Sequence, residues 1–168
     1  MRCSWCGDDP LLIKYHDEEF GIRSTDDRKH FEALMLESLQ TGLNWKLILK
    51  KREIFRKCFD EFDFEKIARY NDSDVARIFN TEGMIRSERK IRAIINNAQK
   101  FIEIRAEFGN FYEFVENQTQ LTIEIQTQLT KELKRRGFKF IGENSIASYL
   151  QAVGILNGHE ENCSKFTQ

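Results

Sequence analysis

The residue types best suited to chemistry lie near the two ends of the chain. Cys3, Cys6 and His16 are near the start, and His159 and Cys163 stand four positions apart near the end. Thiolates and imidazoles are preferred ligands of zinc, which binds four of them tetrahedrally in structural sites. In a chain with four cysteines and three histidines, this grouping predicts a zinc site that ties both termini into the fold.

The spacing alone leaves the ligand set of this site open. Cys3 and Cys6 form a Cys-x-x-Cys pair that could join His159 and Cys163, and the rival amino-terminal pair is Cys3 and His16. In either arrangement four protein ligands leave no open position at which the metal could activate water. The predicted site is therefore structural.

Helices must position these residues, because apolar side chains recur at helical spacing along most of the chain. The only proline is Pro10, so almost nothing interrupts a helix, and the pattern predicts an all-α fold. The predicted helices cover residues 26–40, with Thr25 as the N-cap; 45–59, capped by Asn44; 87–108; 130–136; and 144–153. A further short helix, which carries Val75, Ile78 and Phe79, is predicted to follow Asp72 and Ser73. The alternating stretch QLTIEIQTQ, residues 120–128, has no obvious partner strand and is expected to be an extended loop.

Composition narrows the class of protein. The 168 residues are 40% hydrophobic and 32% charged, with a net charge of -1. These values predict one globular unit over residues 1–168, either undivided or formed of two helical lobes. No apolar run reaches the length of a membrane span, and the first residues lack a signal-peptide pattern. We therefore expect a cytoplasmic protein without a membrane partner. We also expect it to be a monomer.

Positive charge is concentrated locally although the net charge is close to zero. Arg86, Arg89, Lys90 and Arg92 crowd the start of the helix at 87–108. Backbone N–H groups at a helix N-terminus favour a phosphate, and neighbouring cations add to the attraction. Arg86 and Lys90 are the candidate phosphate contacts, although many basic residues on helices only face solvent.

Six stretches of the sequence together resemble the 3-methyladenine DNA glycosylase I family. They occur in the family's order and cover nearly the whole chain except about residues 116–129: RCSWC, YHDEEFG, LESLQTGLNW, LKKREIFRKCFDEFD, IRSERKIRAIINNAQKF and LKRRGFKFIG with the following SYLQAVGILNGH. The resemblance implies a helix-hairpin-helix glycosylase fold, with the base pocket between its lobes. It implies a monofunctional enzyme that flips a damaged nucleotide from double-stranded alkylated DNA, hydrolyses its glycosidic bond and releases 3-methyladenine.

The resemblance also implies roles for particular residues. Tyr15, Glu37 and Trp45 would line the base pocket with Trp5 nearby, and Glu37 would be the catalytic residue that accepts hydrogen bonds from the base. Two residues that otherwise look like a helix stop would approach the space vacated by the flipped nucleotide: Gly42 and Leu43. One structural zinc ion would be held by Cys3, His16, His159 and Cys163, and Cys6 would not be a ligand.

The chemistry of the lesion suits these residue types. Adenine methylated at N3 is positively charged, and its glycosidic bond is weak because the base leaves as a neutral molecule. An enzyme for it must hold an unstacked base and prefer the cation, which aromatic faces and a carboxylate can do. Without the resemblance, Glu37 would be read as a solvated helix residue and Trp45 as core.

Some positions depart from the family pattern. Phe20 stands where the family usually has tryptophan, and Thr41 and Asn44 replace the usual alanine and serine. No aspartate follows Asp74, so the downstream aspartate found in most helix-hairpin-helix glycosylases is absent. This absence fits the resembled family, which relies on the instability of its substrate, and argues against a lyase acting on neutral oxidised bases.

Two other classes of protein share part of the pattern. A non-catalytic, zinc-stabilised DNA-binding module would need the basic cluster and the metal but not Glu37 beside Trp45. A thiol-redox protein would use Cys3 and Cys6, but such motifs belong in a βαβ context, which the helical pattern does not provide. Release of a base from alkylated DNA would exclude the non-catalytic module. Metal analysis of the purified protein would separate a zinc protein from the thiol-redox protein.

Overall fold

The computed structural model describes residues 1–119 and 124–166, and every regular element in those two ranges is helical. This confirms the predicted all-α class. A short 3-10 turn at Ser4–Cys6 precedes the first helix, and another at Asp60–Phe62 follows the third. The α-helices are α1 (Pro10–Glu18), α2 (Asp27–Gln40), α3 (Trp45–Cys58), α4 (Phe64–Ile67), α5 (Asp72–Phe79), α6 (Glu88–Phe108), α7 (Phe111–Thr119), α8 (Ile125–Arg135) and α9 (Glu143–Ala152).

Capping residues explain where several helices begin. The Asn44 side chain accepts a hydrogen bond from the backbone N–H of Leu47, and Ser87 caps α6 in the same way. The prediction of Thr25 as the cap of α2 is wrong. Asp26 is the cap, because its carboxylate accepts from the N–H of Arg28 at 2.8 Å and satisfies a donor that the first turn leaves free.

The predicted extended loop at 120–128 is also wrong in its second half. Residues 125–128 form the first turn of α8, while residues 120–123 lie outside the described residues. Ile125, Leu129 and Leu133 are buried at spacings of four, so a helical face had been concealed by a local alternation of apolar and polar residues. Helix α8 thus begins five positions before the predicted start at 130.

Three helices were not predicted individually: the one-turn helix α4, and α1 and α7. Helix α1 begins with Asp9 as its cap and Pro10 in its first turn, the position in a helix where proline is most favourable. Helix α7 follows Asn110, whose side chain accepts from the N–H of Glu113 at 2.8 Å. Both starts carry a sequence signal that the apolar spacing alone did not show.

Helix α2 is central to the core. Phe31, Leu34, Met35 and Leu39 on it are buried, and the helix packs against α3, α6, α7 and α9. The buried His30 on the same helix lies 2.6 Å from the Tyr149 hydroxyl and 2.7 Å from the Ser24 carbonyl oxygen. Both ring nitrogens of His30 therefore have partners, and burial lowers its pKa. This histidine is a satisfied core residue.

The two ends of the described chain meet. The backbone N–H of Ser164 donates to the carbonyl of Met1 at 2.8 Å, and the Glu160 carboxylate accepts from both the N–H and the hydroxyl of Ser4.

No helix in the described ranges has both the length and the apolar composition needed to cross a membrane.

Candidate active site and metal centre

The fold brings four predicted metal ligands from both ends of the chain into one cluster. The ligand atoms of Cys3, His16, His159 and Cys163 all lie within 4.8 Å of one another. His16 comes from α1, Cys3 precedes the first 3-10 turn, and the other two follow α9. Cys6 is buried nearby but does not belong to this group.

Three sulfur–nitrogen distances within the cluster match those expected around a tetrahedral metal ion. The Sγ atom of Cys163 lies 3.4 Å from Nε2 of His16 and 3.7 Å from Nδ1 of His159, and Sγ of Cys3 lies 3.5 Å from the same Nδ1. Zinc bonds of about 2.3 Å to sulfur and about 2.0 Å to nitrogen place these atoms about 3.5 Å apart in a tetrahedron. The donor set and its spacing therefore fit zinc.

Neighbouring groups support the same reading. The backbone N–H groups of Glu160 and Lys165 point at the sulfurs of Cys3 and Cys163 at 3.3 and 3.4 Å, as donors to thiolates would. His16 presents Nε2 to the cluster, and its Nδ1 lies 2.8 Å from the Asp17 carboxylate. Such a carboxylate orients a ligating histidine and fixes its tautomer.

An aromatic cluster adjoins the metal ligands. The ring centroid of Tyr15 lies 5.5 Å from that of Trp45, 5.9 Å from that of Phe20 and 6.3 Å from that of Trp5. Phe20 lies 5.1 Å from His159 in an edge-on arrangement. The predicted pocket residues Trp5, Tyr15 and Trp45 therefore do come together, and Phe20 joins them to the metal centre.

Glu37 is the most unusual ionisable residue of the site. Its side chain is only 5% exposed, and within residues 1–119 and 124–166 no hydrogen-bond donor contacts its carboxyl. Burial raises its pKa to about 8. The same carboxyl and burial both raise the pKa of Tyr15, with burial the larger cause. Glu37 is therefore a largely buried acid that is electrostatically close to Tyr15. Its carboxyl oxygens are not fully enclosed, because no fully buried side-chain oxygen of the described residues lacks a partner.

A cavity of about 290 Å³ opens beside the aromatic cluster. Tyr15, Trp45 and Leu36 contribute to its wall, and Glu37 follows Leu36 on α2 without lining it. Two ion pairs also line it: Arg52 binds both carboxylate oxygens of Glu19 at 2.7 and 2.8 Å, and Arg56 pairs with Glu32. These ion pairs were not predicted from the sequence, because the members of each pair are 33 and 24 positions apart.

The 41–44 loop joins α2 to α3 beside this site. Gly42 is exposed and has a φ of 82°, a left-handed conformation that glycine adopts without strain. Leu43 is half-buried and its N–H donates to the Gln40 carbonyl. The loop thus presents a small residue and an apolar residue at the surface.

The α5–α6 turn, residues 80–87, carries the predicted phosphate contacts. Arg86 is exposed and forms no ion pair with any residue that the structure describes. Lys90, at the start of α6, is half-buried and its ammonium donates to the carbonyls of Leu39 at 2.9 Å and Thr41 at 2.8 Å. Of the two candidates, only Arg86 leaves its whole charge to solvent.

Comparison with known proteins identifies the family. The methyladenine glycosylase family profile matches residues 5–167. The chain is 42% identical over 177 aligned residues to DNA-3-methyladenine glycosylase 1 of Escherichia coli strain K12, with 96% of this chain and 95% of that protein covered.

This chain belongs to the methyladenine glycosylase family. The resemblance predicted from the sequence is confirmed.

Solved structures agree with this family assignment. A crystal structure of 3-methyladenine DNA glycosylase I superposes with a TM-score of 0.91 and 38% identity, covering 99% of this chain and 100% of that one. A tyrosine-to-phenylalanine variant of a 3-methyladenine DNA glycosylase I, in complex with 3-methyladenine, gives a TM-score of 0.91 and 30% identity over 99% of this chain and 98% of that chain. The methyladenine glycosylase family therefore shares both the sequence and the helical architecture of this chain.

Proposed function

We propose that this methyladenine glycosylase excises 3-methyladenine from alkylated double-stranded DNA after flipping the damaged nucleotide into the pocket beside Glu37. The observation that carries the proposal is a buried carboxyl without a donor, electrostatically close to Tyr15 in an aromatic cluster. No fully buried side-chain oxygen of the described residues lacks a partner, so the Glu37 oxygens keep access to the outside of the protein and can accept from a ligand. The exocyclic amine and positive charge of a methylated adenine would make it such a ligand.

The proposed reaction is hydrolysis of an N-glycosidic bond. The carbon–nitrogen bond breaks, its electron pair goes to the methylated base, which leaves neutral, and water adds to the sugar carbon and loses a proton. Trp45 and Tyr15 hold the base by their ring faces, which attract a cation. Glu37 accepts hydrogen bonds from the base, and no aspartate after Asp74 is required to assist.

Elements around the pocket would bind the DNA while the damaged nucleotide is flipped out. We assign the α5–α6 turn as the hairpin of a helix-hairpin-helix motif that binds phosphate, with Arg86 supplying charge. Lys90 was predicted for the same role, but its ammonium donates to the carbonyls of Leu39 and Thr41. Gly42 and Leu43 would enter the gap left in the duplex, because the 41–44 loop is exposed next to the pocket.

The metal proposed for the terminal cluster is one structural zinc ion. Cys3, His16, His159 and Cys163 would hold it, and as a closed four-ligand site it would supply folding energy. One chain carries the pocket, the hairpin and all four ligands, so we propose that the enzyme acts as a single unit and as a monomer.

Base release tests the function directly. Methylated duplex DNA is incubated with the purified protein, and the released bases are separated and identified. Free 3-methyladenine, with abasic DNA that keeps its strands intact, is the expected result. Binding to the duplex without any released base would instead support the non-catalytic DNA-binding module.

A further inference from the structure

The ammonium of Lys90 binds backbone carbonyls of the protein itself. It donates to the carbonyls of Leu39 and Thr41, which belong to the last turn of α2 and its cap. The final carbonyls of a helix have no partner within the helix, and a cation there also interacts favourably with the helix dipole. Lys90 therefore closes the end of α2, where the 41–44 loop begins.

A second lysine connects the same region in the opposite direction, from α3 to the α5–α6 turn. Lys51 on α3 donates a hydrogen bond to the carbonyl of Gly83 in the α5–α6 turn. Gly83 has a φ of 80°, and a Cβ atom there would lie 2.6 Å from Cδ1 of Ile54. The turn is thus packed closely onto α3 as well as hydrogen-bonded to it.

Together these contacts tie two segments that are distant in sequence. Lys90, at the start of α6 directly after the α5–α6 turn, donates to carbonyls at the end of α2. Lys51 on α3 donates to a carbonyl of the turn. The 41–44 loop lies between α2 and α3. Lysine–carbonyl hydrogen bonds therefore connect both flanks of this loop to the element proposed to bind phosphate.

We propose that Lys90 and Lys51 are positioning residues, which hold the 41–44 loop and the α5–α6 turn as one unit, so that phosphate binding at the turn aligns Gly42 and Leu43 with the damaged nucleotide. This inference rests on the proposed function. It assigns Lys90 to loop positioning, in place of the phosphate contact predicted from the sequence.

Lys90→Met tests the assignment, because methionine keeps most of the side-chain volume but donates no hydrogen bond. Single-turnover release of 3-methyladenine should fall by about ten- to a hundredfold, since small misplacements of positioning groups have effects of this size. Affinity for intact duplex and its salt dependence should match those of the charge-matched control Lys131→Met, an exposed lysine without an ion pair in the described chain. Lys90→Arg should recover part of the rate.

Amide hydrogen exchange provides a readout that does not depend on activity. Exchange at residues 41–44 of the free protein should accelerate in Lys90→Met and, independently, in Lys51→Met, while the melting temperature stays close to that of the wild type. Should Lys90→Met fail to fold, Lys51→Met and Lys90→Gln carry the same expectation.

Two results would overturn the proposal. One is a salt dependence of Lys90→Met flattened as in Arg86→Ala, which would return Lys90 to the phosphate contacts. The other is unchanged exchange in both lysine variants. Failure of the proposed function would look different, because the wild-type protein itself would release no 3-methyladenine.

Discussion

At the scale of single residues, Glu37 concentrates the chemistry of the site. Its carboxyl is buried, lacks a donor among the described residues and has a pKa raised to about 8. In the free protein at neutral pH it is therefore largely protonated. A cationic base nearby favours the charged form of a carboxylate, so entry of the methylated base would release a proton from this group.

Replacing Glu37 tests its part in base release. Glu37→Gln keeps the shape, removes the charge and turns one acceptor into a donor. A charge-assisted hydrogen bond contributes about 1.5–3 kcal/mol, so single-turnover release of 3-methyladenine should fall by about one to two powers of ten. Affinity for undamaged duplex should hardly change. Wild-type rates in this variant would remove Glu37 from the mechanism, and equal losses in both assays would indicate a role in the fold.

The raised pKa of Glu37 predicts that the stability of the protein depends on pH, and Glu37→Gln serves as the reference. The folded-state pKa of Glu37 is raised from 4.5 to about 8 because burial disfavours the carboxylate. Its stabilising contribution is thus complete below about pH 4.5 and is lost as the pH rises towards 8. The melting temperature of the wild type relative to Glu37→Gln should fall across this interval, measured from about pH 4 to about pH 9. A constant difference would mean that this carboxyl is ionised without cost.

At the scale of elements, the features that depend on residues close together in the sequence were predicted. Those that depend on contacts between distant residues were not. Helices α2, α3 and α6 were predicted because their apolar spacing lies within the element itself, and Asn44 marked the start of α3. The first turn of α8 was missed because alternation over a few residues resembled an extended segment. The bond from Lys90 to Leu39 joins residues 51 positions apart, and no local pattern reports such a contact.

The N-terminus of α6 and its preceding turn carry a prediction of their own. Arg86→Ala should weaken binding to damaged and undamaged duplexes alike, and should lower the slope of log affinity against log salt by about one. The reason is that a phosphate contact carries charge but no information on the base. Arg86→Lys, which keeps the charge, should retain most of the slope. A loss confined to damaged DNA would place Arg86 at the base pocket instead.

At the scale of the whole molecule, the fold joins residues that the sequence separates most widely. The cysteine and histidine types and their terminal placement predicted a zinc site, but the choice between Cys6 and His16 needed the resemblance. The structure places His16 in the cluster because α1 packs its buried side against both chain ends. The aromatic cluster beside it depends on the same arrangement.

Metal analysis tests this closure. Cys163→Ala should lose the one zinc ion expected per chain and lower the free energy of unfolding by more than about 2 kcal/mol, because the terminal segments lose their common anchor. Cys6→Ala, a variant of another buried cysteine, should keep the zinc. Retention of metal in His16→Ala together with its loss in Cys6→Ala would contradict the ligand assignment.

The meeting of the chain ends has a mechanical consequence. Met1 and Ser164 are hydrogen-bonded to each other, and the four ligands lie just inside them. Tension applied to the two ends would therefore load the terminal cluster first and reach the helices only after it opens. In a single-molecule pulling experiment, the force of the first rupture would report metal occupancy, and the helices with the base pocket would stay unloaded until that rupture.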